Sequence, residues 1–120
     1  MAKILIIEDL EMNRDLLEQL LEDDHELSMA ENGIIGLEMA QENPPDLVLM
    51  DLSMPGMDGW ETTRRFKAIG EFCHIPVIAI TSNAMPGDEE DARNAGCDDY
   101  MTTPIDEDLL FEKINIFLTK

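Results

Sequence analysis

Glu8 and Asp9 follow the apolar run Ile4-Leu5-Ile6-Ile7, and Asp51 follows Leu47-Val48-Leu49-Met50, so two strand-like segments each end in acid. In an open parallel sheet, ligands bind at the C-terminal tips of the strands. If these two strands are neighbours, their three carboxylates converge at one edge of the sheet. Three like charges are costly to keep ionised together unless a cation sits among them, and oxygen ligands with room for water suit Mg²⁺. A third run, Val77-Ile78-Ala79-Ile80, ends in Thr81-Ser82, and hydroxyl and backbone N–H groups can hold phosphoryl oxygens. A carboxylate beside a divalent cation and a hydroxyl donor is a workable phosphoryl acceptor. The cation neutralises the transferring group while the carboxylate attacks in line. A plainer reading has Glu8 and Asp9 interacting with the start of the first helix, Asp51 capping a turn, and Thr81 starting one. Acid on two separate strand ends favours the cation site.

The elements that must position these groups are legible as periodicity. The three apolar runs read as central parallel strands buried on both faces. Between them lie stretches with helical spacing: Met12, Leu16, Leu17, Leu20 and Leu21; Ile34, Leu37, Met39 and Ala40; Thr62, Phe66 and Ile69. A weaker strand is expected over about 25–30 and a short one over about 99–101, with further helices over about 88–95 and 106–118. Gly33, Gly70 and Gly96 mark boundaries, and Pro44-Pro45 keeps any helix from running into the third strand. Five strands and five helices in strict alternation, joined by right-handed crossovers, predict an α/β doubly wound three-layer sandwich around a parallel sheet.

Bulk composition narrows the function. The 120 residues fit a single domain spanning 1–120. The formal net charge of -19, from 27 acidic and 8 basic residues, opposes phosphate backbones and anionic lipid surfaces, so neither nucleic acid nor membrane is an expected partner. No apolar stretch suits a membrane span, and no signal peptide precedes the first strand, so a cytoplasmic protein without an attached output module is expected. Cys73 and Cys97 lack metal-ligand spacing and are read as small apolar packing residues without a disulfide. The nine methionines are read mainly as core fillers. His25 and His74 are read as surface or strand-edge residues outside the chemistry.

Taken in order, Glu8-Asp9, the segment from Asp46 to Asp51 with Met54-Pro55-Gly56-Met57-Asp58-Gly59, Thr81, and Gly96-Cys97-Asp98-Asp99-Tyr100 ahead of Pro104 resemble the receiver domains of bacterial two-component response regulators. The resemblance covers essentially the whole chain. It implies a flavodoxin-like fold with sheet order 2-1-3-4-5 and a stand-alone phosphorelay signalling switch, not a conventional enzyme. It also implies residue roles: Asp51 as phosphoacceptor, Asp9 as a direct Mg²⁺ ligand, Glu8 as a ligand through water, and Ser53 supplying a backbone carbonyl to the metal. Thr81 would contact the phosphoryl group, and Tyr100 would be a switch aromatic on the face made by the fourth helix, fifth strand and fifth helix. Ser53 and Asn83 occupy positions that tune water access to the phosphoryl group. The implied partners are a sensor histidine kinase or histidine phosphotransfer protein upstream and a protein bound at that last face downstream, with the chain a monomer or weak dimer.

One position departs from the pattern. Receivers carry a Lys immediately before the proline after the fifth strand, and Thr103 stands there. That lysine's charge-assisted bond to the acceptor carboxylate contributes roughly 1.5–3 kcal/mol, and a Thr hydroxyl is too short and uncharged to replace it. Arg14, near the start of the first helix, is the basic residue to check as a substitute. The departure keeps a second reading open, a degenerate receiver acting as a phosphorylation-independent protein-binding module. A phosphohydrolase with an aspartyl-phosphate intermediate is disfavoured, because Ser53 stands where such enzymes want a second Asp. Nucleotide binding is disfavoured by the lack of a Gly-rich phosphate loop.

Overall fold

The computed structural model describes residues 2–52, 58–82 and 85–119; Ser53, the 54–57 segment and Asn83 therefore lie outside the described residues. Five strands, β1 (Ala2–Ile7), β2 (His25–Ala30), β3 (Leu47–Asp51), β4 (Val77–Thr81) and β5 (Asp99–Thr102), alternate with five helices. The helices are α1 (Glu11–Leu21), α2 (Gly33–Glu42), α3 (Gly59–Ala68), α4 (Asp88–Ala95) and α5 (Glu107–Leu118). All pairings are parallel, and the sheet order is β2-β1-β3-β4-β5. A short 3₁₀ turn at Gly70–Phe72, which periodicity does not reveal, joins α3 to β4.

The central strands are apolar on both faces because helices cover both. Ile4, Ile6, Leu47, Leu49, Ile78, Ile80 and Met101 pack with Leu17 and Leu21 of α1 and Leu110 and Ile114 of α5. Their alternates Leu5, Ile7, Val48, Met50, Val77 and Ala79 pack with Ala40 of α2, Phe66 of α3 and Ala92 of α4. Three helices start on side-chain caps of the type that favours initiation: Asn32 accepts from Ile35 N, Asp58 from Glu61 N, and Asp106 from Leu109 N. At the C-terminus of α4, Gly96 takes the left-handed conformation with φ +112°, which glycine adopts without a Cβ penalty.

Several expectations about individual side chains need correction. Met12, Leu16 and Ile34 are exposed, not core-facing. On α1 the buried stripe is Leu17–Leu21, and a residue one position earlier is rotated about 100° away from it. Cys73 is exposed, unlike the buried Cys97, whose thiol burial pushes up from its ordinary pKa. Met85 also faces solvent and fills no core. His25 opens the edge strand β2 and His74 is exposed, as read.

Candidate functional site: an acidic cleft at the sheet edge

Register brings the acids together. Ile7 of β1 is paired with Met50 of β3, so the next residues, Glu8 just past β1 and Asp51 at the end of β3, stand side by side at the strand tips. One carboxylate oxygen each from Glu8, Asp9 and Asp51 lies within 4.8 Å of the others. Glu8 is buried, and Asp9 and Asp51 are half-buried. The Asp51 end of β3 is braced by α3. Leu52 N donates to the Ile80 carbonyl at 3.0 Å, and a Cβ on Gly59 would sit 2.2 Å from the Asp51 carbonyl oxygen and 2.6 Å from Leu52 Cα. Only a glycine lets the first turn of α3 press this close to the backbone that carries Asp51.

A cleft of about 80 Å³ opens over the cluster, lined by Glu8, Asp9, Asn13, Asp51, Ser82 and Thr103, with Leu10 and Ile80 as its apolar walls. Thr81 is buried at the end of β4, and its carbonyl accepts from Thr103 N at 2.9 Å. Its exposed neighbour Ser82, just beyond the strand, is among the residues that line the cleft. The Thr103–Pro104 peptide bond is cis.

The fit to a divalent cation can be tested on distance. Octahedral Mg–O bonds of about 2.0–2.1 Å put ligand oxygens roughly 3–4 Å apart. Carboxylate oxygens within 4.8 Å of one another are close enough to share one cation. The donor set, all oxygen, is of the hard type Mg²⁺ prefers.

The described lining of the cleft supplies no positive charge. Among the described residues no Lys or Arg lines it, and the neighbouring 53–57 and 83–84 segments contain none in their sequence. Arg14 is not among the residues that line the cleft; its Nη1 donates to the Glu8 backbone carbonyl at 2.8 Å. Sequence reasoning missed Asn13, whose Nδ2 donates to Glu8 Oε1 at 2.7 Å.

A profile of the response regulator receiver domain matches residues 4–115. The chain belongs to the response-regulator receiver family. As a receiver it is a signalling switch of two-component phosphorelays. Among its relatives is the polar-differentiation response regulator DivK of Brucella anthropi, 41% identical over 116 residues that make up 96% of this receiver and 94% of that protein. The receiver domain of the sensor histidine kinase PA1611 from Pseudomonas aeruginosa, which holds a magnesium ion in its active-site cleft, superposes with a TM-score of 0.91. It is 29% identical, covering 99% of this receiver and 98% of that chain. The chemotaxis protein CheY4 of Vibrio cholerae supports the fold alone, with a TM-score of 0.92, 24% identity and coverage of 98% and 99%. No helix among the described residues is long and apolar enough to cross a membrane.

The receiver's last face carries the switch candidate. Tyr100 is half-buried, packed against the core beneath α3 and α4, and its hydroxyl is buried without a hydrogen-bond partner among the described residues. Burial, helped by the Asp88 and Glu89 carboxylates of α4, holds this phenol above its usual pKa. Beside it both carboxylate oxygens of Asp99 accept from Lys113 Nζ of α5 at 2.9 Å, and Arg93 of α4 approaches to 3.7 Å. These ion pairs tie α4, β5 and α5 into one surface.

Proposed function

We propose that the whole chain, 1–120, is one receiver that takes a phosphoryl group onto Asp51 from a phosphohistidine of a sensor histidine kinase or histidine phosphotransfer protein. The single observation that carries this reading is the meeting of Glu8, Asp9 and Asp51 at two adjacent strand ends, with oxygens within 4.8 Å. Asp9 and Asp51 would hold Mg²⁺ directly and Glu8 through water, with the Ser53 carbonyl as a further ligand outside the described residues. When bound, the cation supplies charge neutralisation at the phosphoryl oxygens.

In the transfer, an Asp51 carboxylate oxygen attacks phosphorus, an O–P bond forms as the P–N bond breaks, and the electron pair of that bond returns to the imidazole nitrogen. Ser82, Thr103 and the buried Thr81 are the hydroxyls around this point, with Thr81 the proposed phosphoryl contact. Output is then protein binding at the α4-β5-α5 face through Tyr100, in the cytoplasm, by a monomer or weak dimer. The test is incubation with acetyl phosphate and Mg²⁺ followed by intact mass. The expected result is a gain of one phosphoryl group that disappears with EDTA and in Asp51→Asn. An unmodified wild-type chain refutes the reading.

A second reading is favoured by one observation, the uncharged Thr103 in a cleft lined by no Lys or Arg among the described residues. On that reading the receiver binds its partner irrespective of phosphorylation. Equal partner affinity for phosphorylated and unphosphorylated chain selects it.

A further inference from the structure

We propose that Asn13 is a positioning residue for the cation site, an inference that rests on reading Glu8, Asp9 and Asp51 as a Mg²⁺ site. Glu8 is 6% exposed, so its carboxylate depends on partners within the protein. Asn13 Nδ2 donates to Glu8 Oε1 at 2.7 Å, whereas Leu10 N reaches Oε2 only at 3.4 Å. The first distance is a short hydrogen bond and the second lies beyond the usual range, so the carboxylate's orientation rests chiefly on Asn13. The frame around this bond is rigid. Asn13 N donates to the Leu10 carbonyl at 3.1 Å, Glu8 N donates to the Ala30 carbonyl at 3.0 Å, and Arg14 Nη1 fixes the Glu8 carbonyl at 2.8 Å.

The type of side chain matters as much as its place. An ammonium or guanidinium on Glu8 would orient the carboxylate and also cancel one of the three negative charges that attract the cation. A neutral carboxamide orients it and leaves the charge in place. It also lines the cleft, so the bond lies in the wall of the acidic site. Groups that hold a metal-ligating side chain typically change metal affinity by about 10–100-fold when removed.

The experiment is calorimetric titration of the full chain with MgCl₂, alongside thermal unfolding in EDTA. Asn13→Ala and Asn13→Leu both replace a weak helix former with a stronger one, so α1 is expected to persist. Each should weaken Mg²⁺ binding about tenfold. In a Glu8→Gln background the same changes should alter Mg²⁺ affinity less than twofold, because the charged ligand they position is gone. Unchanged affinity in both Asn13 variants, or an equal loss in the Glu8→Gln background, overturns the inference while leaving the proposed function standing. A wild-type chain that takes up no Mg²⁺ overturns both.

Discussion

Two groups of carboxylates at opposite ends of the sheet are treated in opposite ways. At the C-terminal tips of β1 and β3, Glu8, Asp9 and Asp51 crowd within 4.8 Å, and no basic side chain among the described residues lines their cleft. At the start of β5, Asp98 and Asp99 are each met by a cation. Lys67 Nζ sits 2.9 Å from Asp98 Oδ2 and also donates to the Ile75 carbonyl, and Lys113 Nζ sits 2.9 Å from Asp99 Oδ2. With 27 acidic and 8 basic residues, most carboxylates have no cationic partner. Lys67 and Lys113 lie where β5 must be joined to a helix, whereas Arg64 and Arg65 pair with Glu61 on the exposed face of α3. On the proposed Mg²⁺-dependent reading, a cation from solution would supply the positive charge of this cleft. Acid met by Lys67 and Lys113 thus braces the fold, and acid gathered in a cleft lined by no described Lys or Arg marks the site.

The widest gap between the two groups should appear in stability. Asp98→Ala removes an acceptor that serves Lys67 Nζ and also Val77 N, the latter at 2.8 Å, and leaves a strand N–H without its bond. The cost should be about 2 kcal/mol, read from the urea midpoint. Asp9→Ala, which relieves repulsion among three carboxylates, should leave the metal-free protein as stable as before or more so, in the manner of functional sites that oppose folding. If both variants lose the same stability in EDTA, the division between structural and functional acid collapses.

A smaller effect is expected from giving the cleft the cation it lacks. An ammonium about 6 Å from a divalent ion in a water-like medium opposes it by roughly 1.4 kcal/mol, about tenfold in affinity. Thr103→Lys should therefore weaken Mg²⁺ binding by that factor in calorimetry. It should also strengthen the dependence of partner affinity on phosphorylation, by restoring a charged contact to the phosphoryl group. Unchanged Mg²⁺ affinity would mean that residue 103 does not share the cation's field.

What was legible in the sequence follows from what periodicity can carry. Strands buried on both faces leave continuous apolar runs, so Ile4–Ile7, Leu47–Met50 and Val77–Ile80 announced themselves, and the acids that end the first two and the hydroxyls that end the third came with the strands. Register then did the rest, since pairing of Ile7 with Met50 leaves Glu8 beside Asp51. The departure at Thr103 was visible because a motif fixes that position. Asn13 was not visible, because one polar residue on the first turn of a helix has no periodic signature until the fold brings Glu8 to it. The Lys67–Asp98 pair was hidden for a related reason, since its members are 31 residues apart in sequence and only the fold, which sets α3 beside α4, brings them together. The inward stripe of α1 was misjudged at Met12 and Leu16, where apolar type at helical spacing did not say which of two adjacent stripes meets the sheet.

The smallest effect tests whether exposure governs the worth of the paired group itself. Asp99 has two cationic partners with different surroundings. The Lys113 side chain is 19% exposed and lies 2.9 Å away, whereas that of Arg93 is 50% exposed and lies 3.7 Å away. An exposed pair is screened by solvent and loses side-chain entropy on forming, so Arg93→Gln should cost less than about 0.5 kcal/mol, and added salt should abolish the difference. Lys113→Met, which keeps the aliphatic stem and removes a half-buried ammonium held by both oxygens of Asp99, should cost more, about 1–2 kcal/mol, with a weaker salt dependence. Chemical unfolding at low and high salt measures both. Equal costs for the two variants would mean that the α4-β5-α5 surface is held by its apolar packing alone and that its ion pairs, like the acids of the cleft, serve something other than stability.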